Sequence, residues 1–246
     1  RLDVSGSGTQ MVVNGNTAKQ VGGGVCAVSA SSITVSSGAR MEVINNTAAT
    51  VHGGGVYLKN QGTRLDVSGS GTQMVVNGNT AEQAGGGVCA VIASSITVSS
   101  GARMDVINNS AATLHGGGVY LQNQGTRFDG SGRNTHLLVS GNVAQKNGGG
   151  IAIRSNAIFR STSNSMFNSN TAVDGNGGGL AYDDDSGRSD GGSNCVQLSL
   201  HIKYDGTYNV DQNGNVHSGT AATALEVFTR PSTSLSILIN EREKIV

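Results

Sequence analysis

At 246 residues, with 38 glycines, one proline, no tryptophan and 13% charged residues, the chain is long enough to bury a sizeable core but has few of the bulky residues that usually fill one. Sixteen basic residues balance sixteen acidic ones, so there is no electrostatic footprint for nucleic acid or an anionic membrane, and no apolar run is long enough to span a bilayer. The glycines cluster in triplets and not at every third position, which excludes collagen, and aliphatic runs recurring at low charge density exclude general disorder.

From Arg1 onward, Leu2 and Val4 alternate with polar neighbours, Met11 and Val13 do the same, Asn16 stands two residues before Ala18, and the triplet beginning at Gly22 leads into Val25 and Ala27. Two-residue alternation of this kind is the signature of a strand with one buried side. The same order then returns, with Ile33 and Val35, Met41 and Val43, Asn46, Gly53, and Val56 and Leu58. Triplets begin at Gly22, Gly53, Gly85, Gly116, Gly148 and Gly177, at spacings of 31, 32, 31, 32 and 29 residues. A period that regular marks one structural unit stacked along an axis. Residues 1–63 and 64–126 are nearly the same sequence, and each block is two related halves. Three short strands in a unit of about 31 residues, each stacked on its counterpart one repeat away, predict an all-β parallel β-helix of about six coils.

The alternation of Val, Ile, Thr and Ser disfavours a helical solenoid, as does a glycine triplet in every unit. The corner asparagines Asn16, Asn46, Asn79, Asn109, Asn142 and Asn170 suit a sharp bend, because Asn tolerates left-handed backbone angles. Stacked through the coils, their amides are expected to pair into an internal polar ladder. The glycine triplets are expected to let the backbone turn tightly with no side chain in the way.

Several side chains outside this scaffold are candidates for function. Tyr57 and Tyr120 point outward between inward aliphatic residues, and exposed aromatics stack on sugars or anchor interfaces; both are candidate binding residues. Cys26 and Cys89 occupy equivalent places two coils apart, about 10 Å, beyond the roughly 7 Å that a disulfide tolerates between Cα atoms, so they are expected to stay reduced. Cys195 is the third cysteine. His52 and His115 precede glycine triplets and are expected to be solvent-facing loop residues, too far apart to share a metal ion. Asn45 and Asn108 begin Asn-Asn-Thr and Asn-Asn-Ser, which are N-glycosylation sequons overlapping the corner motif. The outward column Asp3, Thr34, Asp66, Thr97 and Asp129 tests an ice-binding alternative, and charge interrupts its Thr at every other layer.

Near the end of the repeat, Asp183, Asp184 and Asp185, with Asp174 and Asp190 nearby and Arg188 between, form the most acidic stretch. Clustered carboxylates in a glycine-rich loop are suited to calcium, with Asp183, Asp185 and Asp190 as candidate ligands. A base beside such a site is the combination used by β-helical polysaccharide lyases, which makes Asp183, Asp184, Asp185 and Arg188 the candidate catalytic residues of an enzyme alternative. Beyond about residue 190 the triplets stop. Val196 to Tyr204 alternate, Asp205-Gly206 and Asn213-Gly214 offer turns, and Ser234 to Asn240 reads as another strand. The domain expectation is a β-helix over 1–189 and a C-terminal cap or terminal β element over 190–246, since an open strand edge templates further pairing. Arg1 recurs as Arg64 and Arg127, in the middle of a coil, which points to further coils upstream or to end-to-end self-association.

Aliphatic-x-x-Asn-x-Ala followed by Gly-Gly-x-aliphatic resembles the repeat of the chlamydial polymorphic outer-membrane proteins, found also in other bacterial and protist surface proteins, with their FxxN and GGA[ILV] motifs. Phe167-Asn168-Ser169-Asn170 followed by Gly178-Gly179-Leu180 is the nearest match, whereas Val13, Val43, Val76, Val106 and Val139 replace the Phe in the other units. The resemblance covers about residues 1–182 and implies a right-handed β-helix at the cell surface or secreted, often an adhesin. The functional expectation is accordingly a structural or adhesive β-helix that meets a glycan, a protein or another copy of itself, with lyase-like and ice-binding alternatives.

Overall fold

Two-residue alternation makes each strand bury one side, and the repeat brings the next copy of that strand alongside it. The computed structural model describes residues 1–161 and 163–183, together with the backbone of the strands Leu198–Leu200, Tyr208–Val210, Val216–Ser218 and Ile237–Ile239. It is a right-handed parallel β-solenoid of six coils. Sheet A carries Leu2–Ser5 and its counterparts Ser32–Ser36, Arg64–Ser68, Ser95–Ser99, Arg127–Ser131 and Ile158–Ser161. Sheet B runs from Gln10–Asn14 to Asn164–Asn168, and sheet D from Val25–Val28 to Leu180–Asp183.

Between B and D lies a fourth ladder, sheet C, made of two-residue strands from Thr17–Ala18 to Thr171–Ala172. Each coil therefore has four strands, where alternation in the sequence predicts three. Two residues hold less than one period of alternation, so the pattern has nothing to register there.

Register keeps like with like inside the solenoid. Leu2 stacks on Ile33, then Leu65, Ile96, Phe128 and Phe159. Met11 stacks on Met41, Met74, Met104 and Leu137. These residues and the Val25 column of sheet D form one continuous core. In the fifth and sixth coils the core changes character. Phe128 and Phe159 pack with ring centroids 5.3 Å apart, while Gly130 and Ser161 replace the valines of the earlier coils and the buried Ser161 and Ser163 hydroxyls pair at 3.0 Å. Beyond them, Leu198–Leu200 and Ile237–Ile239 extend sheet A, and Tyr208–Val210 pairs antiparallel with Val216–Ser218. The rest of the 190–246 segment lies outside the described residues.

The B–C corner holds the coils together. Asn79 donates its amide and its backbone N–H to Asn109 Oδ1, both at 2.9 Å, and a further amide bond to the Val43 carbonyl at 2.9 Å. The same bonds repeat from Asn46 to Asn142, which forms the polar ladder expected from the spacing. Asn46, Asn79, Asn109 and Asn142 are fully buried, and each polar atom of their amides has a partner, which is the condition for burying them.

The glycine triplet serves this corner with a different reason at each position. Gly85 has φ +65°, open to glycine at no steric cost. A Cβ on Gly86 would collide with the Ser110 carbonyl and stand 2.5 Å from that of Gly117. One on Gly87 would meet Gly118 O at 2.6 Å and the Asn109 amide carbon at 3.0 Å. The triplet is thus the seat of the asparagine ladder. Replacing Asn109 with Ala leaves the Asn79 N–H buried without an acceptor, at about 1–3 kcal/mol, and removes the amide bond to the Val76 carbonyl and the donor to Asn142 Oδ1. Asn109→Ala is expected to lower the unfolding midpoint by roughly 10 °C, and Asn16→Ala, at the exposed end of the ladder, by far less; thermal denaturation followed by circular dichroism checks both.

Candidate binding faces

Outward residues of sheet A form triplets that alternate from coil to coil. Arg1, Asp3 and Ser5 are followed by Ser32, Thr34 and Ser36, then by Arg64, Asp66 and Ser68, and the alternation continues to Arg127, Asp129 and Ser131. Residues two apart on a strand share a side, so each Arg reaches the acid of its own strand: Arg1–Asp3 at 2.6 Å, Arg64–Asp66 at 2.8 Å and Arg127–Asp129 at 3.3 Å. Sheet B places its pairs, Arg40–Glu42 and Arg103–Asp105, in the coils between. Among the described residues, these pairs fall one to a coil over the first five coils, on alternating walls of A and B. Exposed pairs of this kind add little stability; their consequence is local charge neutrality on both walls.

The wall of sheet D is different. Its outward column runs Cys26, Tyr57, Cys89, Tyr120, Ala152 and Ala181. Tyr57 and Tyr120 do point away from the central core, but they are only 6% and 4% exposed. This corrects the expectation of exposed aromatics. The segment leading into each glycine triplet folds over the column, and Ala84, Val21 and Leu114 close a second apolar cluster around the tyrosines, Cys89, Val91 and Ala152. Burial, with the neighbouring Cys89 and Cys26, pushes the Tyr57 hydroxyl up to about 12. Cys26 is exposed, Cys89 is buried, and both are free thiols whose ionisation burial opposes. The lone apolar residue before a triplet, as in Val21, Ala84 and Leu114, was the sequence signal for this cover.

The histidines are also corrected. They belong to the same cover and are not loop residues facing solvent. His52 and His115 each stack on Tyr120 with centroids 6.2 Å apart, His115 is 7% exposed, and its Nδ1 accepts the Asn147 N–H at 3.2 Å. His52 Nδ1 is buried with no hydrogen-bond partner, and burial lowers the pKa of the ring.

Asn45 and Asn108 are exposed at the B–C corner, with φ of 53° and 54°. Their side chains lean over Gly78 and Gly141 of the following coils, where a Cβ would collide with the amide oxygen. Asp183 ends the last strand of sheet D in register with Arg154; Asp184, Asp185, Arg188 and Asp190 lie outside the described residues. Among the described residues no group of three or more His, Cys, Asp or Glu is placed to hold a metal ion, and no helix is long and apolar enough to cross a membrane. Comparison with family profiles, with curated proteins and with solved structures returned no match.

The buried His52 makes the D wall sensitive to acid. Its folded pKa lies below that of the unfolded chain, so folding is unaffected while both states are neutral. Stability then falls as pH drops below about 6.5, where the unfolded chain binds the proton first. Melting temperatures measured between pH 8 and pH 5 are expected to fall more for the wild type than for His52→Gln, with the difference confined to the acid side.

Proposed function

We propose that the chain is a structural and adhesive solenoid, displayed outside the cell, that meets its partner through the side walls of sheets A and B and performs no chemistry of its own. The observation that carries this reading is the contrast between walls. Sheet D is covered by its own loops over Tyr57, Cys89, Tyr120 and Ala152, whereas A and B present ladders that carry their ion pairs on alternate layers through the first five coils. A face that repeats every two coils, about 9.6 Å, offers the same small contact many times over, and repetition converts modest contacts into avidity. The resemblance of the FxxN-like and Gly-Gly-x-aliphatic motifs to surface β-helices supports the extracellular location. In a eukaryotic secretory pathway the exposed Asn45 and Asn108 would be the glycan acceptors.

The alternatives fare less well on the same wall. In the column Asp3, Thr34, Asp66, Thr97 and Asp129, carboxylates paired with arginine stand in every second layer, so sheet A offers no uncharged Thr surface to ice. The lyase reading rests on Asp183 and its sequence neighbours, of which only Asp183 falls in a described strand.

Binding of the purified protein to host cells and to a glycan array tests the proposal. The double variant Arg64→Ala/Asp66→Ala, which strips one layer of sheet A, is expected to weaken adhesion several-fold while leaving the melting temperature within about 2 °C of wild type. Turnover of uronate polymers that a calcium chelator abolishes would replace this reading with the enzyme one.

A further inference from the structure

Sheets A and B share one repeat and one period, yet their outer surfaces differ in a way the adhesive reading does not require. The outward positions of sheet A in the first five coils hold Arg, Asp, Ser and Thr and no aliphatic residue. Those of sheet B hold one aliphatic residue or methionine in every coil: Val12, Ile44, Val75, Ile107, Leu138 and Met166. In register, Val12, Val75, Leu138 and Met166 share the middle column, and Ile44 and Ile107 stand one column over. The result is an apolar zigzag running the length of the solenoid. None of the six belongs to either buried cluster. Val12 is 55% and Met166 38% exposed, and the four between them are half-buried.

The charges on this wall are already satisfied. Arg103 Nε donates to both Asp105 oxygens at 2.8 Å, Gln73 Nε2 donates to Asp105 Oδ2 at 3.0 Å, and Asp105 is 4% exposed. Arg40 pairs with Glu42 and reaches Gln73 Oε1. A face whose charges are compensated within the chain loses less when a partner removes its water than one that carries an uncompensated charge.

We propose that the outer face of sheet B is an interface between two copies of this chain, packed wall to wall. The proposal rests on the reading of the side walls as binding surfaces and names the partner of one of them. Two observations select a second copy, and the geometry of stacked sheets permits it. The stripe is aliphatic with no aromatic ring, so it suits another aliphatic surface and not the face of a sugar. The chain has a formal net charge of zero, so two copies meet without long-range repulsion. An isologous contact uses the same patch twice, and sheets stacked face to face about 10 Å apart are a standard way to bury such a patch. The wall measures about 24 Å along the axis and about 17 Å along the strands, small for an obligate dimer, which makes the association concentration-dependent.

Sedimentation velocity from about 1 µM to about 1 mM covers the range in which an interface of this size associates. The wild type is expected to pass from monomer to dimer across the series. Val75→Lys/Ile107→Lys should weaken the dimer by at least tenfold, and Thr34→Lys, on sheet A, should leave it unchanged. Circular dichroism establishes that the variants fold, and Val75→Thr/Ile107→Thr, which keeps the branched shape, repeats the test if the lysine pair does not. A wild type that stays monomeric throughout overturns the proposal, as does a dimer indifferent to all sheet B variants, which would point to contact through the coil ends. A monomer whose adhesion to cells is lost in Val75→Lys would assign the stripe to a different protein and overturn the second copy, while leaving the adhesive reading in place.

Discussion

Everything in this molecule depends on the backbone of one coil lying about 4.8 Å from the next around the full circuit. Strands tolerate that spacing readily, because side chains leave the ladder at right angles to it. Corners do not, since there the chain must turn while still touching its neighbour. The B–C corner meets the constraint with two coupled devices. Asn79 fills the turn and binds the coils on both sides through Asn109 and Val43, and Gly86 and Gly87 bring the return stretch so close that no Cβ fits between it and the next coil. Each device needs the other. A bulkier residue at Gly87 would displace the amide of Asn109, and without that amide the N–H of Asn79 would lie buried with no acceptor.

The same spacing gives a physical basis to the two-coil period that residues 1–63 and 64–126 share. At one coil per layer, bulky or like-charged side chains in adjacent layers crowd one another where the chain turns or faces outward. Inward columns stack like on like, as Met41 does on Met74 and Met104, but several outward and corner columns alternate. Tyr57 lies between Cys26 and Cys89, Asn45 leans over Gly78, Thr72 lies between Ala39 and Ala102, and Thr34 separates Asp3 from Asp66. Thr72 shows the benefit most directly: its hydroxyl accepts the Gly38 N–H at 2.9 Å and donates to the Ser68 carbonyl at 2.9 Å, in space that the alanines leave open. The physical unit is therefore the double coil, although the backbone repeats with every single one.

What could be read from the sequence divides along the same line. The inward columns, the asparagine ladder and the number of coils are periodic and local, so alternation and spacing expose them. Sheet C escaped because Thr17 and Ala18 are too few to alternate. The burial of Tyr57 and Tyr120 escaped because their direction is set by strand alternation, whereas their cover comes from single apolar residues, Val21 and Leu114, in loops with no alternation of their own. The zigzag on sheet B escaped because its residues shift column from one coil to the next, so no single register position of the repeat is consistently apolar.

This arrangement separates scaffold from surface. The ladder of asparagines and glycines, and the central apolar core, use only inward and corner positions, so the outward positions of sheets A and B lie outside both buried clusters, whereas those of sheet D build the second one. Alternating the ion pair between A and B over the first five coils leaves every second layer of these two walls without an ion pair. Sheet A fills those layers with the hydroxyls of Ser32, Thr34 and Ser36, and sheet B fills its own with Gln73, Val75 and Asn77. One repeat thereby carries a hydrated wall, an aliphatic one and a sealed one at fixed angles around a rigid axis. An outward residue on sheet A or sheet B can therefore change the surface of that wall without disturbing the inward stacking that holds the others in place.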